Sequence, residues 1–335
     1  MKIPSVIFGT SCLGNLYKAM PYHEKIDIVK EFFKYTDGFV MLDSAGKYGA
    51  GLALESIGSA LKELQVPVST IRLSNKLGWL RVPLKTSAPT FEPGVWEGLE
   101  NDAIQEISYD GILKCWKQGN EFLGIPYKAS FVSIHDPDEY LNNSTDASEK
   151  KTRFKNILGA YKALHELKKT GEADAVGVGA KDWRIIKILA DEVELDWVMF
   201  ACSLTVMNQP KELLNFIAEL KSRGVTVINS AVFHSGFLTG GKFFDYRIAD
   251  PLKDKALFNW REYFFSLCRK HDISPAAACV RFGMTVPGVT SVALNTSNPK
   301  RVKENVEMVK TLIPDIFWTD MKEHGLLNRD FPYAG

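Results

Sequence analysis

The chain has 335 residues, 45% apolar and 24% charged, enough to bury a full core without disulfides or a structural metal. Lys and Arg number 41 against 40 Asp and Glu, a net charge of +1 that gives no field to hold a nucleic acid or an anionic membrane surface. The five cysteines, Cys12, Cys115, Cys202, Cys268 and Cys279, are odd in number and scattered without a C-x-x-C pair, so no metal is expected and a reducing compartment fits.

The first β-rich run, 5–9, lies in an N-terminal stretch too short and too interrupted by Gly9, Thr10 and Ser11 for a signal peptide or membrane span, and a cytoplasmic protein is expected. A second run, 38–43, ends in Asp43, with Tyr48 five residues on, and a third, 70–76, ends in Lys76. The stretch 77–106 then exceeds ordinary loop length and carries Pro83, Pro89, Pro93, Trp79 and Trp96. A fourth run, 130–135, ends in His135. Phe154, Ile157, Leu158, Tyr161, Leu164 and Leu167 follow at spacings of three and four, the buried face of a helix.

Runs five and six are 173–178 and 196–201, the latter continuously apolar from Trp197 to Ala201 as in a parallel strand covered on both faces. Leu213, Leu214, Ile217 and Leu220 repeat the helical period before Gly224, and a seventh run spans 225–229. A second long excursion, 233–254, and the eighth run, 289–294, complete the pattern. Eight β-α units without a Pro-, Gly- or Ser-rich linker predict one domain, residues 1–335, folded as an α/β (β/α)₈ TIM barrel. Both long excursions follow strands, which places them over the C-terminal mouth, where barrel enzymes keep their chemistry.

Three successive strands ending in Asp43, Lys76 and His135 draw attention, because an unpaired charge buried in a barrel costs several kcal/mol (roughly). Singly, each is more often a helix cap or a satisfied structural residue than a catalytic one. Together they suggest acid–base chemistry: Asp43 holds Lys76 charged, Lys76 lowers the pKa of the Tyr48 phenol, Tyr48 moves a proton, and His135 orients the substrate oxygen.

These four residues resemble, in order and strand context, the Asp-Tyr-Lys-His tetrad of the aldo-keto reductases. Phe8-Gly-Thr-Ser-Cys-Leu-Gly-Asn15 is similar to that family's first strand and turn, and Asp43-Ser-Ala-Gly-Lys-Tyr-Gly-Ala-Gly51 to its second. Ser235-Gly-Phe-Leu-Thr-Gly240 resembles its seventh loop, and Arg301-Val-Lys-Glu-Asn305 its last helix. Ile134-His-Asp-Pro-Asp138, Ser108-Tyr-Asp-Gly111 and Val232-Phe-His-Ser-Gly236 resemble most the branch of L-fucose (D-threo-aldose) and pyridoxal dehydrogenases. The resemblance implies a nicotinamide oxidoreductase that oxidises an aldose at C1 to a lactone.

No G-x-G-x-x-G is complete, since the stretches starting at Gly49 and Gly177 both fail at the third glycine, so a Rossmann site is disfavoured. The resemblance instead implies cofactor contacts from Gly9, Thr10 and Gln209, and from the seventh-strand loop with Ser230, Phe233, Ser235, Gly236 and Leu238 around the pyrophosphate. Asn295, Ser297 and Arg301 are expected at the ribose, and Glu304 and Asn305 at the adenine. A solvated helix face is the plain alternative for the last residues. Gly179 and Ala180 stand where relatives have Ser-Asn, and Ser230 where a tyrosine stacks on the nicotinamide. Asn295 replaces a lysine that grips the NADP phosphate, so NAD is expected to serve at least as well as NADP.

For substrate, Trp79 and Trp96 are expected either to cover an apolar face or equally to plug the core of the long loop, and Asp136 to hold a hydroxyl, with Asp138, Lys181, Asp182 and His234 in reach. Against the branch, Ser203 and Leu204 stand where it has Arg-Tyr. The partners expected are a sugar or aldehyde, with no nucleic acid and no membrane. A general aldehyde or ketone reductase, a pyridoxal dehydrogenase, a non-catalytic redox-sensing barrel and a Schiff-base lyase using Lys76 are the competing readings.

Overall fold

In a computed structural model, described over residues 2–334, the eight expected runs form eight parallel strands in a closed barrel. They are β1 (Val6–Gly9), β2 (Val40–Ala45), β3 (Ile71–Leu77), β4 (Phe131–His135), β5 (Ala175–Ala180), β6 (Trp197–Ala201), β7 (Thr226–Ser230) and β8 (Val289–Leu294). Each pairs with the next, and β8 closes on β1 through Val6–Val292, Ile7–Ala293 and Phe8–Leu294.

Strand side chains alternate between two environments. Val6 and Phe8 pack outward with helix residues such as Ile28 and Phe32, whereas Ile7, Met41, Phe131, Ala175, Trp197, Met199 and Ile228 form a separate apolar cluster inside the barrel. Trp197 fills so much of it that a Cβ on Gly177 would lie 2.1 Å from its ring. The period of two that sends Met41 and Phe131 inward also sends Asp43 and His135 inward, two and four residues further along. The polar groups thus form tiers above an apolar plug.

The helical periods hold as well. Ala147–Lys169 buries Ile157, Tyr161, Leu164 and Leu167, and Lys211–Ser222 buries Leu213, Phe216, Ile217 and Leu220. Asp146 caps the first of these by accepting from Glu149 N at 2.8 Å. The excursion 77–106 is more ordered than a loop, since Trp79–Pro83 and Asn101–Gln105 pair as an antiparallel hairpin. Arg81 bolts this hairpin down: its guanidinium binds both Glu55 oxygens at 2.6 and 2.8 Å and lies 3.9 Å over the Phe122 ring. The other excursion, 233–254, carries the short pair Phe243–Phe244 with Arg247–Ile248. It reaches across the mouth to stack Phe243 on Tyr17, 4.2 Å between ring centres. All five cysteines are free and buried, and no helix among the described residues is long and apolar enough to cross a membrane.

Candidate active site

Asp43, Lys76 and His135 meet at the barrel mouth with Tyr48 above them. The Lys76 ammonium is 2.5 Å from Asp43 Oδ2, both side chains being almost fully buried, and Ser74 Oγ donates to Asp43 Oδ1 at 3.2 Å. Thr10 donates through Oγ1 to the Asp43 carbonyl at 2.9 Å, which ties the end of β1 to the end of β2. The Tyr48 ring lies 4.9 Å from Lys76 Nζ and meets the His135 ring edge-on at 5.5 Å. Two glycines set the height of Tyr48: a Cβ on Gly14 would fall 2.7 Å from the Tyr48 carbonyl, and one on Gly49, at φ +62°, 2.3 Å from Gly14 O.

The electrostatics differ from expectation at Tyr48. Burial pushes its phenol well above the ordinary value, the Asp43 and Asp136 carboxylates push it the same way, and the principal opposing cation is Lys47, its neighbour in sequence. The lowering by Lys76 expected from the sequence is outweighed, because Lys76 is neutralised by Asp43 at contact distance. Burial, with Lys47 and Lys76, holds His135 far below its usual range, so the ring is neutral at pH 7.

Lys47 belongs to a network of which the sequence marked only Asp136 and Lys181. Its ammonium lies 2.6 Å from Glu92, 3.4 Å from Glu139 and 3.6 Å from Asp136, and Lys181 pairs with Glu139 as well. Burial opposes the charge on Lys47, but the three carboxylates outweigh it and raise its pKa. For Lys47 the only sequence signal was its place beside the tyrosine in the β2 turn; Glu92 sits in an excursion without periodicity.

Trp96 is buried, donates to Glu92 Oε2 at 2.7 Å and tilts against Tyr48 at 5.8 Å, so it both plugs the hairpin and walls the site. Trp79 lies under the Lys47 ammonium at 5.3 Å. Asp136, at φ +45°, is within 3.4 Å of His135 Nε2. Asp138 is turned from the mouth to accept from the amides of Lys181 and Asp182 at 3.1 and 2.9 Å.

The residues expected at a dinucleotide fall into two groups. Asn295, Ser297, Arg301 and Glu304 are exposed beyond β8, with Asn295 donating to Ser11 Oγ at 2.8 Å, while Asn305 is buried. On the β7 loop, the amides of His234, Gly236, Phe237 and Leu238 already donate to carbonyls within the loop, and Ser235 Oγ accepts from Tyr246 N. Ser230 Oγ donates to Phe200 O at 3.0 Å and Gln209 to Val206 O at 3.1 Å. Gly9 and Thr10 line the β1 end. Two buried polar atoms in the mouth, Tyr17 Oη and His135 Nδ1, have no partner among the described residues, as expected where a ligand completes the bonding. The exposed donors and these orphans fit a dinucleotide and a polar substrate.

A profile of the aldo/keto reductase family matches residues 5–325. The chain is 25% identical to a pyridoxal 4-dehydrogenase of Microbacterium luteolum over 98% of its length and 96% of the relative's. It is also 25% identical to a D-threo-aldose 1-dehydrogenase of a Pseudomonas species, over 98% and 95%. An L-galactose dehydrogenase of Arabidopsis thaliana is 24% identical over 93% and 86%. Among solved structures, a glycerol dehydrogenase of Gluconobacter oxydans superposes with a TM-score of 0.69 at 17% identity, covering 100% of this chain and 98% of that one. An aldo-keto reductase of Bacillus halodurans in its holo form gives 0.68 at 18% identity, over 97% and 92%.

Proposed function

Since the chain belongs to the aldo/keto reductase family and is an oxidoreductase, we propose that it oxidises an aldose in its ring form at C1, with a nicotinamide dinucleotide as hydride acceptor. The observation that carries this reading is the charged network of Lys47, Glu92, Asp136, Glu139 and Lys181 beside Tyr48 and Trp96. A ring with several hydroxyls needs fixed donors and acceptors, because each unpaired buried polar group costs about 1 to 3 kcal/mol. An aromatic wall suits its C–H face.

When bound, a nicotinamide would supply the hydride chemistry at the substrate carbon. Asn295, Ser297 and Arg301 would hold its adenosine end, with Glu304 and Asn305 beside them, and Gly9, Thr10, Gln209, Ser230, Phe233, Ser235, Gly236 and Leu238 would line its way to the mouth. Tyr48 exchanges the proton with the substrate oxygen, and neutral His135 directs that oxygen by a hydrogen bond. Asp43 keeps Lys76 charged and fixed beneath the phenol. The raised pKa of Tyr48 keeps it protonated at neutral pH, which favours a second reading, reduction of an aldehyde with Tyr48 as acid.

The test is a spectrophotometric screen of the purified protein with both dinucleotides against L-fucose, D-arabinose, L-galactose, other aldoses, pyridoxal and simple aldehydes. Saturable NADH or NADPH formation with one aldose supports the proposal, and it should fall at least a hundredfold (roughly) in Tyr48→Phe with little change in dinucleotide affinity. Reduction of simple aldehydes with no sugar oxidised leaves the second reading in its place.

A further inference from the structure

Beside the proton-transfer groups lies a second constellation that the reaction does not use. Cys202, just after β6, and His234 and Asp245, both in the excursion after β7, bring one thiol, one imidazole nitrogen and one carboxylate oxygen to within 4.8 Å of one another. His234 Nδ1 is 2.7 Å from Asp245 Oδ1, and the Cys202 sulfur lies within 4.8 Å of both groups. The other ring nitrogen, Nε2, is 2.7 Å from Thr205 Oγ1, whose position is fixed in turn by the amides of Met207 and Asn208 at 3.2 and 3.0 Å. Outer contacts of this kind orient a ligating histidine.

The backbone gives an independent observation. Cys202, His234 and Asp245 all stand at positive φ, +59°, +46° and +46°. Non-glycine residues adopt this region at a cost in strain, and such strain gathers at functional sites. All three side chains converge from these positions. Phe244 stacks on the His234 ring at 4.9 Å and 6°, closing one side, while Asp245 is exposed and leaves an entry path.

We propose that Cys202, His234 and Asp245 bind a divalent transition-metal ion of the zinc class, with three protein ligands and a remaining position open to solvent. Sulfur, imidazole and carboxylate together select such an ion over magnesium or calcium, which take oxygen ligands. Binding forms one bond each from Sγ, Nδ1 and a carboxylate oxygen; the thiol proton leaves to water, the imidazole proton passes from Nδ1 to Nε2, where Thr205 Oγ1 accepts it, and the metal stays divalent, so no oxidant is needed. Occupancy ties the end of β6 to the excursion over the mouth and thereby makes loop mobility depend on the metal. Lys181, nearby, has its ammonium engaged by Glu139. The proposal is independent of the reading of substrate above.

Titration of the chelator-stripped full chain with Co²⁺ tests it directly. A thiolate-to-cobalt charge-transfer band saturating at one equivalent and displaced by Zn²⁺ is the expected result. The variants Cys202→Gly, His234→Asn and Asp245→Asn each suit a left-handed backbone while removing a ligand, so the fold should survive. Each should weaken binding at least a hundredfold (roughly), beyond the ten- to hundredfold usual when only a group that orients a ligand is lost. Zn²⁺ should also raise the melting temperature of the parent protein and not of Cys202→Gly. Absence of the band at one equivalent, or binding that all three folded variants retain, overturns the proposal.

Discussion

Removing the carboxylate of Asp43 leaves the Lys76 charge without a partner, since among the described residues no other carboxylate lies within 4.0 Å of its ammonium. The two side chains are only 6% and 5% exposed, so water cannot replace the lost partner. Breaking such a buried pair from one side costs about 3 to 5 kcal/mol, a large part of the roughly 5 to 15 kcal/mol that holds a typical protein folded. Asp43→Asn keeps the shape and an acceptor for Ser74, which isolates the charge. Lys76→Met alone strands the carboxylate instead, whereas the double variant Asp43→Asn/Lys76→Met strands nothing and should cost less than the sum of the single changes by about 2 to 3 kcal/mol. Urea unfolding followed by tryptophan fluorescence measures all three. Single variants that each lose under about 1 kcal/mol, with no coupling, would place the pair among ordinary surface ion pairs and refute the reasoning.

Gly49→Ala puts a Cβ 2.3 Å from Gly14 O at a φ of +62°; strain and overpacking should cost about 2 to 5 kcal/mol and displace Tyr48, and an unchanged melting temperature contradicts this. The His135 ring stays neutral as the pH falls from about 8 to 6, where unfolded histidine takes up a proton, so this residue lowers stability as the pH drops through about 6.5. An NMR titration midpoint near 6.5 for His135 is the opposing result. Asn295→Lys should move the ratio of kcat/KM values toward NADP by about ten- to a hundredfold through a charged contact to the ribose phosphate, and a wild-type preference for NADP near a hundredfold would remove its premise.

The barrel was legible because its strands are short, apolar and regularly spaced, and all eight runs fell within a few residues of the observed strands. Asp43, Lys76 and His135 were legible for the same reason: a charge at the end of an apolar run stands out, and the period of two assigns its face. Lys47, Glu92 and Glu139 carry no such mark, because their meeting depends on the paths of a turn, a hairpin and a short helix that no local pattern specifies. The hairpin itself was hidden by its prolines, which suggested a loop although only Pro83 enters a strand, and that at its end. The direction of the Tyr48 shift was likewise a property of assembly, since it depends on how much of the Lys76 charge Asp43 already balances.

The unequal fastening of the two walls above the barrel has a consequence for traffic through it. One wall is bolted by Arg81 to Glu55 and to the Ala50 carbonyl at 2.5 Å, with Phe91 and Trp96 buried behind it. The opposite wall is knit mainly within itself, by His234–Asp245 and Ser235–Tyr246, and is tied outward by the Tyr17–Phe243 stack and the exposed Arg247–Asp254 pair at 2.6 Å. Breathing of the molecule is therefore one-sided: amide protons of 242–248 should exchange with solvent well before those of 79–83. The β7 side is thus the one that yields first, far from the hairpin that Arg81 holds in place.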